Sequence, residues 1–369
     1  MLLKRLSHAL PTELASLIPE LEASGIKTTE SLIFTQPSII LNNVPILSIA
    51  QLDYFISECL QLTTQPSISG DDVQDDQEVW AGFGVRSLDD LFEGWNGFGV
   101  VEIAGPRKVG KSLLAMHAAL NLLRLDEEAI CTWIDTEASF SPERAKQILE
   151  SMGVDEPNQV LKRLMIITSF KVEDTFEAIS QLKASLESPD QTRTKVLVVD
   201  TIYTHFKDRL SANSAQGHAD MVNLMDEIAE ITLAHRMLTL IINATVSCEP
   251  TNLQSSFNKM EIKPALGPAF TFTTDITLLM QETGVIFGLL DHQEKNRKFG
   301  GPGLRALVEV IRSKITPTGS WAVYETDGIK LYDVLPPHQV DERSTRISAG
   351  LPTGPYRPII GSLAQTLIP

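Results

Sequence analysis

The feature that most constrains this chain is an octapeptide, Gly105, Pro106, Arg107, Lys108, Val109, Gly110, Lys111 and Ser112. It lies between the apolar run VVEIAG and the helix-periodic run KSLLAMHAALNLLRL. Two glycines at this spacing, followed by lysine and serine, suit a tight strand-to-helix turn whose backbone N–H groups converge at a helix N-terminus. Such a turn is built to cradle a polyphosphate. Lys111 would reach the β- and γ-phosphates, and the Ser112 hydroxyl would ligate Mg²⁺. The loop is untidy in the middle, where Arg107 and Lys108 add charge and bulk at its crown. The alternative is a strand-to-helix turn that holds no ligand.

The surroundings of the octapeptide point to one class of fold. From about Gly84, apolar strand-sized runs alternate with helical ones: AICTWID, SPERAKQILESM, RLMIITSF, VEDTFEAISQLKASLES, KVLVVD, HADMVNLMDEIAEITLAHR and LTLIIN. Nearly all-apolar strands separated by helices predict an α/β fold, a parallel sheet covered on both faces. The later runs TDITLLMQE, LRALVEVIRS and SWAVYETDGIKLYDV lack intervening helices, so an antiparallel extension at one edge is expected. Ahead of this core, residues 1–62 read as a small all-helical domain. LPTELASLIPELEAS is its first helical segment, ended by Gly25, Thr29 caps a short second one, and SIAQLDYFISECLQL is the last. Residues 63–83 read as an acidic flexible linker, 84–340 as the core and 341–369 as a loose tail.

Composition narrows the class further. The chain of 369 residues carries 47 acidic against 31 basic groups, a net charge of −16. That surface does not attract nucleic acid globally, so any such contact needs a local basic face. No apolar run approaches the roughly 20 residues of a membrane span. The early charges of MLLKRLSHALPTELASL are interrupted by Pro11 and Glu13 and followed by no cleavage site, so they read as the start of a folded helical domain. Cys59, Cys131 and Cys248 show no metal spacing and are expected to be buried thiols of a reducing compartment.

Three further sets of residues carry candidate chemistry. Asp200 ends the apolar run KVLVVD, where a carboxylate would point into the ligand crevice and hold the Mg²⁺ shell. Asp135 and Glu137 end another strand. Glu137 would orient or deprotonate an attacking water, or else serve only as a capping carboxylate. The segments 201–218, with Lys207 and Arg209, and 246–263, with Lys259 and Lys263, both open from strand ends and mix lysine with an occasional aromatic, as single-strand binders do. Segment 294–301 is the densest basic patch, with Lys295, Arg297 and Lys298. Ordinary polar loops remain the alternative for the first two segments, and a solvated hairpin tip for the third.

Taken in order, these landmarks resemble the eukaryotic branch of the RecA-type recombinases. VRSLDDLFEG is similar to the family's lead-in to the phosphate loop, WIDTEASFSPERA to its YIDTEGTFRPERL, and VIRSKITPTGSW to its closing segment. Within the family, GIKTTESLI and IKPALGPAFTFTTDITLLM are most similar to the D-type paralogue, an accessory subunit of DNA repair. The resemblance, over about residues 10–335, implies a RecA-like ATPase core that uses ATP and Mg²⁺, with Lys111 and Glu137 catalytic. It implies a nucleotide-contact set running from Gly105 through Leu113 and including Arg144 and Asp200. It further implies single-stranded or branched DNA and other recombinase paralogues as partners, and nuclear work in double-strand-break repair.

The chain departs from the family in two places and keeps it in a third. No Phe-x-x-Ala tether, by which family members polymerise, occurs anywhere in it. Extended homofilaments are therefore not expected. Ala244 stands where the family carries a glutamine that senses the γ-phosphate, so coupling of ATP to DNA would be weak or rerouted. Glu137, which some D-type relatives lack, is retained. The leading expectation is a mediator of homologous recombination with modest DNA binding and slow, DNA-linked hydrolysis. A scaffold whose nucleotide is structural is the second, and a RecA-fold ATPase without a DNA role the third.

Overall fold

The computed structural model describes residues 3–7, 9–63, 81–187, 193–210, 215–249, 252–257, 260–287 and 303–334. Most of the expected linker, the expected tail, and Lys259, Lys295, Arg297 and Lys298 lie outside the described residues. The chain divides into two compact units, Met1–Asp76 and Gln77–Pro369.

The first unit is helical. Helices Thr12–Ala15, Ile18–Ala23, Thr29–Phe34 and Pro37–Asn43 lead to the longer Ile49–Thr63. They close on a core that includes Leu14, Leu21, Leu32, Ile40, Leu52 and Phe55. The first expected helix is in fact two. Pro19 is accepted in the first turn of the second helix, where its missing N–H has no partner to lose, and it cannot continue a helix arriving from Ala15. Gly25, at φ +93°, does end that helix, and the Ile26 N–H reaches back to the Leu21 carbonyl at 2.9 Å. The cap of the next is Thr28, not Thr29. Thr28 Oγ1 accepts from the Ser31 N–H, Ser31 Oγ accepts from the Thr28 N–H, both at 3.1 Å, and Thr29 is buried as the first helical residue.

The second unit is an α/β sandwich. Its strands are β1 (Gly99–Ala104), β2 (Ile130–Asp135), β3 (Leu164–Thr168), β4 (Thr194–Asp200), β5 (Leu238–Asn243), β6 (Thr245–Ser247), β7 (Ile262–Pro264), β8 (Ile276–Glu282), β9 (Leu304–Ser313), β10 (Trp321–Thr326) and β11 (Leu331–Asp333). Nine of them form one sheet in the order β11-β10-β9-β8-β1-β5-β4-β2-β3, and β6 and β7 pair as a separate antiparallel ribbon. Pairing is parallel from β3 through to β8 and antiparallel across β8, β9, β10 and β11.

The antiparallel extension thus starts one strand later than the sequence pattern suggests. β8 has no long helix before it, yet it lies parallel to β1 because the ribbon β6–β7 and the short helix Pro268–Thr271 provide the crossover. Alternation along each strand feeds two cores. Val101 and Ile103 pack with Leu113, Leu114 and Leu120 of helix Lys111–Leu125, while Val100 packs with Ile179 and Leu224 of helices Val172–Leu186 and Ala215–Ala234. Each such side chain, fully buried, contributes about 1.5–3 kcal/mol. Strand β3 departs from apolar burial because it is one edge of the sheet. Met165 and Ile166 are 53% and 39% exposed there. Cys59 and Cys131 are buried as expected, whereas Cys248, just past β6, is only half-buried.

Candidate functional site

Parallel register aligns the strand ends that matter. Asp135 of β2 lies opposite Asp200 of β4, Asp200 opposite Ile242 of β5, and Asn243 opposite Ala104 of β1. The loop after Ala104 therefore sits at the same edge of the sheet as both aspartates, where open α/β sheets bind ligands.

The loop from Gly105 to Gly110 runs into helix Lys111–Leu125. Its glycines are required by space as well as by conformation. A Cβ on Gly105 would lie 2.8 Å from Val109 Cγ1 and 3.0 Å from the Met280 carbonyl oxygen. One on Gly110, at φ +97°, would lie 2.8 Å from the hydroxyl of buried Tyr324. Val109 and Leu113 are buried and anchor the loop, Pro106 is half-buried, and Arg107 and Lys108 stand exposed at the crown. Lys108 takes the left-handed φ of 65°.

The charged groups converge on this loop. Lys111 Nζ donates to the Gly105 and Pro106 carbonyls at 2.8 and 2.7 Å. Burial lowers its pKa to about 8, against the opposing pull of Asp200 and Glu137. Asp200 is 6% exposed, and burial pushes its carboxyl up to about 6. A hydrogen bond from Ser112 and the Lys111 charge act the other way, while Asp135 and Glu137 add to the rise. Asp135 and Glu137, two residues apart at the end of one strand, have separate roles. Buried Asp135 accepts the Glu137 N–H at 3.1 Å and the Phe140 N–H at 2.8 Å, so it shapes the loop. Glu137 is exposed and accepts from the Thr204 hydroxyl at 2.9 Å. It does not cap the next helix, whose cap is Ser141.

These residues fit a magnesium nucleotide. Both glycines keep space that any side chain would fill, and the loop opens a helix of 15 residues. Ser112 and Asp200 form a hydrogen-bonded oxygen pair of the kind Mg²⁺ takes alongside phosphates and water. Among the described residues no three metal-ligating side chains cluster, so a cation here would depend on the phosphates it accompanies.

Other expected site residues lie elsewhere. Arg144 donates through Nε to the Gly328 carbonyl at 2.9 Å, on the turn between β10 and β11. Lys207 is exposed at the C-terminal end of helix Ile202–Phe206. Arg209 is held in ion pairs with Glu173 at 2.6 Å and Asp220 at 3.6 Å. Lys263 is exposed on β7, opposite Val246. Sequence reading overlooked Thr136, Thr201, Thr204 and Glu102. Thr201 and Thr204 carry no motif, Thr136 stands between the two carboxylates that drew notice in WIDTEASFSPERA, and Glu102 sits in an apolar strand as its one charged residue. That last signal was there to read.

Glu102 is fully buried. It accepts from Asn243 Nδ2 at 2.7 Å and from Thr277 Oγ1 at 3.0 Å. Asn243 also donates to the Ala265 carbonyl at 3.0 Å and accepts the Ala244 N–H at 2.8 Å. The neck of the 244–265 segment is thereby clamped onto the strand that feeds the phosphate loop.

Comparison with known proteins accords with this geometry. The DNA repair and recombination protein RadB of Thermococcus gammatolerans is 34% identical over 164 residues, 43% of this chain and 67% of that protein. The protein of the same name from Pyrococcus abyssi is 28% identical over 170 residues, 46% of this chain and 68% of that one. A crystal structure of the RadB recombinase superposes with a TM-score of 0.53 at 22% identity, over 69% of this chain and all of that one, and so shares its fold. The Rad51 family model matches residues 76–284, more than half the chain and the whole of the strand-end site just described. The chain belongs to the Rad51 family.

Proposed function

We propose that this protein is an ATP-binding recombinase paralogue that mediates homologous recombination and double-strand-break repair. It works with other paralogues rather than as a homofilament. The observation that carries the reading is the convergence of Lys111, the Ser112–Asp200 pair and Glu137 on one edge of the sheet. ATP, when bound, supplies the phosphoanhydride whose cleavage this edge would serve. Lys111 neutralises phosphate charge, Ser112 and Asp200 hold Mg²⁺, and Glu137 orients and deprotonates the attacking water. The family match and relatives named for DNA repair and recombination support the setting.

The finer points rest on the residues themselves. Assignment to the D-type paralogue follows from GIKTTESLI and from IKPALGPAFTFTTDITLLM, and with it a nuclear location. DNA binding is modest, because the net charge is −16 and Arg209 is already paired with Glu173 and Asp220. A second reading, a scaffold that uses ATP only structurally, is favoured by Ala244 and by the edge strand β3, where Met165, Ile166 and nearby Phe170 are exposed.

Steady-state ATP hydrolysis by the full chain, with and without single-stranded DNA, tests the proposal. Turnover above that of Lys111→Ala and raised by DNA is the expected result. ATP binding with no turnover above that variant would sink the enzyme reading in favour of the scaffold.

A further inference from the structure

The two strand ends that carry Glu137 and Asp200 are laced together behind the site. The Thr136 N–H donates to the Asp200 carbonyl at 2.8 Å, and the Thr136 hydroxyl donates to the Thr201 carbonyl at 3.0 Å. The same hydroxyl accepts the Thr201 N–H at 2.9 Å. Thr201 then caps helix Ile202–Phe206 by accepting the Tyr203 N–H at 3.2 Å. That helix is held from its inner side. Ile202 and Phe206 are buried in the core, and His205 Nε2 lies 2.8 Å from Thr175 Oγ1, itself 2.7 Å from Ser169 Oγ. From this helix Thr204, half-buried, reaches Glu137.

Glu137 needs such a partner. It is exposed, on a loop, and next to Ala138 in the left-handed region at φ 51°. A glutamate so placed samples many rotamers, and a single hydrogen bond from a well-anchored helix restricts them. Thr204 Oγ1 supplies that bond to Oε1 at 2.9 Å. Asp135 fixes the backbone of Glu137 and Thr204 its carboxylate, so backbone and side chain are held by different strand ends.

We propose that Thr204 is a positioning residue for Glu137, setting the orientation in which that carboxylate meets the attacking water. The inference rests on the reading that Glu137 serves hydrolysis, and Thr204 acts only through it. Sequence alone pointed to the glutamate and left this threonine unmarked in a polar stretch.

The test compares Thr204→Val and Thr204→Ser in the full chain, with Lys111→Ala and Glu137→Gln as references. Valine keeps the branched shape and loses the donor, while serine keeps the donor. We expect Thr204→Val to lower kcat roughly ten- to a hundredfold, the scale of a slightly misplaced reacting group, with KM for ATP unchanged. Thr204→Ser should restore most of the rate, and Thr204→Val should have no further effect in the Glu137→Gln background. Wild-type kcat in Thr204→Val, beside an inactive Lys111→Ala, overturns the positioning role and leaves the hydrolysis reading standing. Parallel loss of kcat and ATP affinity, unrelieved by serine, assigns Thr204 to structure and also overturns it. Wild-type turnover no higher than that of Lys111→Ala defeats the hydrolysis reading itself. If the valine variant fails to fold, Thr204→Ala against Thr204→Ser makes the same comparison.

Discussion

Glu137→Gln is expected to lower ATP turnover by roughly 10²–10⁴ while leaving nucleotide binding intact, and Lys111→Ala to remove both. The separation follows from where the two side chains sit. Lys111 is tucked between the Gly105 and Pro106 carbonyls, partly buried, with its charge facing Asp200 and Glu137. Taking it away leaves two acidic groups confronting a polyphosphate, so affinity falls. Glu137 stands at the rim, exposed and in contact with Thr204, and contributes little to holding the nucleotide. Binding is read as thermal stabilisation. Nucleotide at a hundred times its Kd adds about 2.7 kcal/mol to the folded state. That gain should persist in Glu137→Gln and vanish in Lys111→Ala. It should vanish as well in Gly105→Ala, whose new methyl would crowd Val109 and the Met280 carbonyl. A Glu137→Gln protein with undiminished turnover would remove this residue from the chemistry. Undiminished ATP stabilisation in Lys111→Ala would mean that the loop is not where ATP binds.

Above pH 7, Glu102→Gln is expected to be more stable than the wild type by up to about 3 kcal/mol. The cause is burial. It pushes the Glu102 carboxyl from 4.5 up to about 7, despite hydrogen bonds from Asn243 and Thr277 and the charge of Arg312. A carboxyl whose folded pKa is raised holds its proton longer in the native than in the unfolded chain. The native state is therefore favoured below about pH 4.5, and that advantage is lost as pH rises to about 7. Glutamine carries no charge and can keep both contacts. Its oxygen accepts from Asn243, and its amide donates to Thr277 Oγ1, whose hydroxyl can turn to Thr274 at 3.1 Å. Asp200 and Glu309 are also raised by burial and give both proteins the same trend. The difference between the two stability–pH curves therefore isolates Glu102. Curves that run parallel from pH 5 to pH 8 would show that this carboxyl is ionised in the folded protein throughout.

Local periodicity carried much of the core. The span of helix Lys111–Leu125 was legible residue for residue, since an apolar face begins at the lysine of the loop and runs out at Asp126. Strands β1, β2, β4 and β5 were legible because a strand buried on both faces must be apolar throughout. The N-terminal unit was less so. Choosing between Thr28 and Thr29 as the cap takes backbone geometry, and the helical segment expected across residues 10–24 is two helices, the second with Pro19 in its first turn. β8 eluded the pattern for a different reason. Parallel or antiparallel pairing depends on the route of the crossover, and the ribbon β6–β7 that makes it is too short to show a period.

The site divides along the same line. By itself the sequence determined that Gly105 to Ser112 would form a loop between strand and helix, that Asp200 would close a buried strand, and that the surface would be acidic. Each of these is a property of neighbouring residues or of their sum. Only the tertiary structure decided that Asp135 shapes a loop while Glu137 meets Thr204, that Arg209 is spent on Glu173 and Asp220, and that Arg144 turns to Gly328. It also decided that Glu102 and Asn243, 141 positions apart, share a proton-sensitive contact. Such pairings arise where parallel strands bring distant segments into register. The free energy that selects them comes from burying both partners at once, which no local stretch of the chain contains.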